Sequence, residues 1–322
     1  MDAFDTRLCA ELKRDFPLCE RPYAEIGARL GLPEQTVRAR LANLVLTGRI
    51  ARIGAAFAPH ALGASTVAAM AVAPDLLHAT AAIVNACAEV SHTCTREHHY
   101  NLWFVATACD ATALQCWLDR IACDTGCEAL SVPVEEEYFV DLASGEPRIW
   151  RSMDAAGGPV RQPAERRLAE LLSTGLEFVP RPYVRLGLRS GGMSQDEVIA
   201  RIAAWRSAGV IKRFGAIGTQ GAEREQCNAL CVWDVPDADL PALGLALAAE
   251  SSVALCYRRP RVQAVWPYNL YCVMRGHSRA EIESSLAAVA VRHGLAGRPH
   301  ELLFARRRYA LRRVAGWRWG TD

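Results

Sequence analysis

The sequence predicts an α+β chain in which a winged helix-turn-helix followed by a ferredoxin-like βαββαβ domain occurs twice. The two copies are expected to form an internal pseudo-dimer. Three observations lead there. The chain has 322 residues, 51% hydrophobic and 22% charged, enough for roughly two globular units with real cores. That composition excludes a disordered chain, a coiled coil and a collagen-like repeat. The chain also repeats itself. Arg21-Pro22-Tyr23 returns as Arg181-Pro182-Tyr183, and Tyr100-Asn101-Leu102 as Tyr268-Asn269-Leu270. Between them, the stretch Gly48–Ala55 returns as Gly209–Ala216. Matches in the same order with a slowly drifting offset indicate two related units. Third, helix starts and stops fall at the same places in both copies.

Each copy opens with an amphipathic helix, about 5–15 and 165–173. In copy one, helices over 22–30 and 33–47 are separated by Gly31, with proline at the start of each. Glycine after one helix and proline at the next start are stop and start signals. The short turn gives a helix-turn-helix, and 50–57 reads as the strand of a wing. Copy two repeats this over 182–189, 194–207 and 210–217. A strand follows (66–72; 228–235), then a helix (76–87; 239–249) and a two-stranded hairpin. A second helix (111–124; 279–293) and one last strand (129–141; 300–311) complete βαββαβ. Such a sheet covers one face with helices and leaves the other for a partner, so the two sheets should pack together. The domains are therefore a winged helix-turn-helix at 1–60, a ferredoxin-like domain at 61–145, and a linker at 146–162. A second helix-turn-helix at 163–222 and a second ferredoxin-like domain at 223–322 follow.

The net charge of +2 is too small to argue by itself for bulk nucleic-acid or membrane binding. It is unevenly spread: residues 1–150 carry 12 basic and 19 acidic groups, net −7, and the remainder is net +9. The halves should attract each other, and the basic half suits a polyanionic ligand. The first 15 residues have no apolar signal segment, which predicts a cytoplasmic chain. The uncharged stretch 53–74 is too broken by Gly54, Pro59, His60 and Gly63 for a membrane span. Twelve cysteines without a Cys-x-x-Cys pair read as reduced core fillers rather than disulfides or metal ligands. The helix-turn-helix stretches are mildly basic, +3 over 22–57 and +4 over 182–219, which is compatible with phosphate contacts. Asp196 and Glu197 open the second would-be recognition helix, where they disfavour phosphate or simply complement the helix dipole.

The phrase Arg96-Glu97-His98-His99-Tyr100-Asn101-Leu102-Trp103-Phe104 precedes and enters the third strand of copy one. Its counterpart is Trp266-Pro267-Tyr268-Asn269-Leu270-Tyr271, preceded by Arg258-Arg259-Pro260-Arg261. With the tandem helix-turn-helix and βαββαβ pattern, these phrases resemble the siroheme decarboxylases of the heme d1 and alternative heme pathways. That family is built on the Lrp/AsnC fold and occurs as paired subunits (NirD with NirL, AhbA with AhbB) or as NirDL-type fusions. The resemblance covers about residues 5–311. It implies a carboxy-lyase that removes CO2 from two acetate side chains of siroheme, giving didecarboxysiroheme. It implies no cofactor beyond the iron tetrapyrrole substrate, no specific DNA, and no membrane. A homodimer of fusions is compatible with it.

The residues suit such a substrate. Siroheme is a flat macrocycle ringed by carboxylates, so its site needs aromatic walls and arginine forks. Decarboxylation leaves electron density on carbon that must be protonated, and histidine can deliver a proton near neutral pH or ligate iron. The expected catalytic residues are His98, His99, Arg96 and Tyr100, with His99 or His98 on the substrate iron. Neighbours in a strand point to opposite faces, so acid and ligand stay unassigned between them. Arg258, Arg259, Arg261, Trp266, Tyr268, Trp103, Asn101 and His277 are expected to bind substrate. His60 ranks behind them. The other reading is a tandem Lrp/AsnC-type transcription regulator that binds DNA and a small effector. A regulator has no need for the His-His-Tyr-Asn-Leu-Trp phrase. Glu135–Glu137 and Arg306–Arg308 lie in corresponding last strands, where they pair across the halves or form solvated runs.

Overall fold

The computed structural model describes residues 3–14, 16–58, 61–140, 145–151, 160, 162–217 and 227–309. Helices α1 (Ala3–Arg14), α2 (Pro22–Leu30) and α3 (Glu34–Leu46) lead into β1 (Arg52–Phe57). Then come β2 (Ala64–Met70), α4 (Leu77–Ala86), β3 (Val90–Arg96), β4 (Leu102–Ala108) and α5 (Ala111–Thr125). Three strands close the first copy: β5 (Ala129–Val132), β6 (Glu136–Val140) and β7 (Pro147–Arg151). The second copy begins with α6 (Pro163–Thr174), α7 (Pro182–Arg189), α8 (Gln195–Ser207) and β8 (Ile211–Ile217). It continues with β9 (Cys227–Trp233), α9 (Leu240–Ala248), β10 (Val253–Arg258), β11 (Leu270–Gly276), α10 (Arg279–Arg292) and β12 (His300–Arg308).

These elements gather by type rather than by copy. One compact unit takes residues 1–62 and 158–224, the other 63–157 and 225–322. In the first unit the prolines do what their positions suggest: Pro22 and Pro182 open α2 and α7, and Gly31 ends α2 at φ 70°. Asp196 and Glu197 open α8, where Glu197 forms a reciprocal capping box with Ser194. The expected wing is corrected. Among the described residues β1 has no hairpin partner of its own and pairs antiparallel with β8, its counterpart in the other copy. Gly54 faces Gly215 at the middle of that pairing. A Cβ on either would strike a helix carbonyl, Leu172 O for Gly54 and Leu12 O for Gly215, so only glycine lets each helix lie against the strand of the other copy. The exchange is reciprocal elsewhere too. Tyr23 donates its hydroxyl to Glu177 O at 3.0 Å, and Tyr183 to Pro17 O at 2.7 Å.

The second unit is one sheet of ten strands in the order β5-β2-β4-β3-β12-β9-β11-β10-β6-β7. The expected single last strand of copy one is two strands. Pro133 lacks the N–H that would continue β5 in its ladder, and β6 crosses to pair with β10 of copy two. β12 does the same without a break, pairing first with β9 and then with β3, where a bulge falls between Ala305 and Arg307. β5 and β6 lie eight places apart in the sheet, about 38 Å if it were flat. Only Pro133–Glu135 join them, a reach of roughly 14 Å, so the sheet must curl. The two inner faces then meet, as the unpaired faces of two sandwiches should. The segment 146–162 is not all linker, because β7 lies within it. Ile149 packs on the core of copy two, and Arg148 and Arg151 keep this edge strand charged.

Candidate active site

The inner faces form a core of Cys94, Trp103, Leu130 and Val132 against Leu230, Val232, Trp266, Tyr271 and Leu303. Two hairpins, β3–β4 and β10–β11, end at this layer and are closed alike. The Arg96 N–H donates to Asn101 O at 2.8 Å, and the Arg259 N–H to Asn269 O at 3.0 Å. Each asparagine then clasps one backbone unit. Asn101 donates to Val72 O at 2.7 Å and accepts from its N–H at 3.1 Å, and Asn269 does the same to Val235 at 2.9 and 3.0 Å. Arg96 and Arg259 therefore hold corresponding places. Four residues separate Arg96 from Asn101, and nine separate Arg259 from Asn269.

The extra length of the second hairpin carries Trp266 into the aromatic layer, where it is 1% exposed. Around it stand His98, Tyr100, Trp103 and Tyr268, with ring centroids 5.4, 5.6, 5.6 and 4.9 Å away, all edge to face. That is the favoured geometry for aromatic quadrupoles. The buried indole N–H of Trp266 is satisfied by the Tyr271 hydroxyl, and that of Trp103 by Tyr100 O at 2.6 Å.

His98 and His99 are not in a strand. Closing the hairpin at Arg96 and Asn101 puts both in the bend, which corrects the opposite-faces expectation. His98 is half-buried beside Trp266, and His99 is exposed with its ring against Tyr100 at 5.2 Å. The Tyr100 N–H donates to His98 Nδ1 at 3.0 Å, so the neutral ring carries its proton on Nε2. Burial lowers the His98 pKa below the usual histidine value, with Glu301 opposing the shift and His99 adding to it. Glu301 also raises Tyr268, secondarily to burial, and accepts its hydroxyl. Arg96 reaches across the core to donate to Leu303 O at 2.8 Å, its guanidinium 6.0 Å from the Trp103 ring. Its Nε is buried without a partner. Arg259 reaches the other way, to Val132 O, between the rings of Tyr257 and Tyr271 at 5.2 and 5.3 Å. Burial lowers the pKa of both guanidinium groups.

The fold thus brings together Arg96, His98, Tyr100, Trp103, Trp266 and Tyr268, with His99 at the rim. Asn101 is committed to Val72. Arg258 pairs with Glu135 at 2.9 Å, and Arg261 with Asp234 and Asp237 at 2.9 and 2.7 Å. His277 is exposed at the start of α10, its N–H on Glu281. These three stand apart from the cluster, and His60 lies outside the described residues. Glu136 pairs with Arg151 at 2.9 Å, while Arg306 pairs with Glu97 at 3.3 Å. Sequence reasoning passed over Glu301, Tyr257 and Tyr271. The repeat of Tyr-Asn-Leu in both copies signalled the shared asparagine clasp.

In the helix-turn-helix unit, the arginines that would meet DNA are largely spent on the protein. Arg29 binds Glu11 and Glu25, Arg38 donates to Phe178 O, and Arg40 binds Asp5. In copy two, Arg185 and Arg189 share Glu177, and Arg201 binds Glu165. All twelve cysteines are free thiols. Among the described residues no group of His, Cys, Asp or Glu is arranged to hold a metal, and no helix is long and apolar enough to cross a membrane.

Residues 61–138 and 226–310 match the AsnC-like ligand binding domain, and 5–50 match the siroheme decarboxylase NirDL-like HTH domain. The chain is 42% identical to a siroheme decarboxylase NirDL subunit of Paracoccus pantotrophus, over 95% of each protein. The chain belongs to the siroheme decarboxylase family. A siroheme decarboxylase of Hydrogenobacter thermophilus is 26% identical over 94% of the chain and 92% of its own length. The NirD subunit of Pseudomonas aeruginosa is 41% identical over 44% of the chain and 95% of its own length, as expected of a tandem fusion. A crystal structure of the siroheme decarboxylase NirDL shares the fold, with a TM-score of 0.75 at 24% identity, covering 95% of this chain and 91% of that one. Decarboxylation, not transcriptional regulation, is the activity of this family.

Proposed function

We propose that this protein removes CO2 from two acetate side chains of siroheme, leaving methyl groups and releasing didecarboxysiroheme. It acts as a carboxy-lyase in the cytoplasm, on the route to heme d1 or to heme by the alternative pathway. The observation that carries this reading is the meeting of His98, an aromatic wall centred on Trp266, and the half-buried Arg96, whose Nε has no hydrogen-bond partner. The ring edges fit a flat macrocycle, and the guanidinium fits one of its carboxylates. No cofactor beyond the iron tetrapyrrole substrate is needed, because the macrocycle itself can delocalise the electron pair left behind when neutral CO2 departs.

The histidines divide the work. His98 presents Nε2–H to the site because Nδ1 is taken by the Tyr100 N–H, so it is a donor and not an iron ligand. When the acetate C–C bond breaks, its electron pair passes to the methylene carbon and the macrocycle. The ring first takes a proton at Nδ1 from solvent as the Tyr100 contact opens, and the resulting imidazolium gives its Nε2 proton to that carbon, which becomes the methyl group. Burial makes the protonated ring a stronger acid than free imidazolium. His99, exposed at the rim, has ring nitrogens available for the substrate iron. DNA binding is disfavoured by the internal pairing of the helix-turn-helix arginines. Anaerobic incubation with siroheme and mass analysis of the tetrapyrrole tests the reaction. A loss of two CO2 without added nicotinamide, flavin or metal is expected, and an unchanged mass with folded protein would refute it.

A further inference from the structure

Arg308 and Glu137 occupy corresponding places in the two copies, with opposite charge. The hairpin-closing bonds match Arg96 to Arg259, so two residues earlier Cys94 matches Tyr257. Cys94 stands opposite Arg308 across β3 and β12, and Tyr257 stands opposite Glu137 across β10 and β6. Directly opposed residues share a face of the sheet. Cys94 and Tyr257 both belong to the inner layer, so Arg308 and Glu137 lie on it too. The bulge between Ala305 and Arg307 sets Arg308 in this register.

The reversal changes what each guanidinium meets. In copy two, Arg259 feels the Glu137 carboxylate. In copy one, the charge reaching Arg96 besides the Cys94 thiol is Arg308. His92 lies two residues before Cys94 on the same face, and the charges that act on it are Arg308 and Arg96. The first hairpin thus gathers three cationic or protonatable groups, with the Arg96 Nε buried and unpartnered. Like charges held together this way are stabilised by an anion from outside.

We propose that Arg308, with His92 and Arg96, forms a carboxylate-binding rim that selects tetrapyrroles bearing many carboxylates. Glu137 supplies the matching carboxylate from within in copy two, so that hairpin takes no ligand. The choice of ligand rests on the siroheme reading above. The test titrates the full chain with an eight-carboxylate iron porphyrin and a two-carboxylate iron porphyrin, following the Soret band. Wild type, Arg308→Glu, Arg308→Gln and the distant surface change Arg120→Glu are compared, together with siroheme turnover. Arg308→Glu should weaken the eight-carboxylate ligand about tenfold or more, the loss of a charge-assisted contact. It should weaken the two-carboxylate ligand less than about threefold, and raise KM with kcat held. Arg308→Gln should fall between, and Arg120→Glu should match wild type. Wild-type affinity in Arg308→Glu, with turnover intact, would overturn the rim and leave the reaction standing. The expected binding losses without any CO2 released from siroheme by wild type would overturn the reaction and uphold the rim.

Discussion

The hairpin after β3 and the hairpin after β10 share a frame and differ in what they carry. Each is closed by an arginine N–H on an asparagine carbonyl, and each asparagine clasps the corresponding backbone unit two residues past the neighbouring strand, Val72 or Val235. Copy one places His98 and His99 in the bend and leaves Arg96 with an unspent donor. Copy two places Trp266 there instead, fully buried, and encloses Arg259 between Tyr257 and Tyr271. Duplication kept the scaffold and divided the labour. On the proposed reading, one hairpin brings proton and anion chemistry, and the other lends a wall to its neighbour's site.

Changes at the two hairpins should therefore fail in different ways. Trp266→Ala removes the ring that five aromatic partners rest on. Loss of a buried tryptophan costs about 3–5 kcal/mol, read as a lower denaturant midpoint, with tetrapyrrole binding lost as well. His98→Ala should leave the fold intact and lower kcat about 100-fold or more, the usual cost of a missing general acid. Near wild-type turnover in that variant would move the acid elsewhere and erase the division between the hairpins. Glu137→Gln should act on stability, not on turnover. It takes from the buried Arg259 the carboxylate that answers it, at roughly 1–3 kcal/mol, measured by chemical denaturation.

The smallest effect is the pH dependence of stability. Burial lowers the pKa of both His92 and His98, from about 6.5 in the unfolded chain. Below that value the unfolded chain binds more protons than the native one, so stability falls as pH drops. The contribution is complete above about pH 6.5 and is lost through the lowered folded values. The melting temperature should decline from pH 7 toward pH 5, less steeply in His92→Gln. A profile that rises over that range would contradict neutral, buried rings.

Much of this was legible in the sequence because duplication doubles every signal. Pro22 and Pro182, Gly54 and Gly215, Asn101 and Asn269 each mark a place where backbone geometry needs that residue twice. The REHHYNLWF phrase placed His98, Tyr100 and Trp103 together before any fold was known. Strand exchange was not legible. Nothing local tells β1 to pair with β8, or β6 with β10, since a strand's pattern specifies its faces and not its neighbour. For the same reason, charge runs could not be assigned. Arg258 reads like a substrate fork beside Arg259, yet alternation sends it to Glu135 and Glu136 while Arg259 turns inward. Glu301 reaches His98 and Tyr268 from β12 in the other copy, beyond the range of any motif.

The division between the hairpins is tested most directly by binding stoichiometry. Anaerobic titration of the intact chain with siroheme, at protein concentrations well above Kd, counts ligands from the break in the Soret absorbance. One tetrapyrrole per chain is expected, with the signal lost in a variant changed at both Arg96 and Arg308. Two equivalents per chain, or one equivalent that survives both changes, would contradict it.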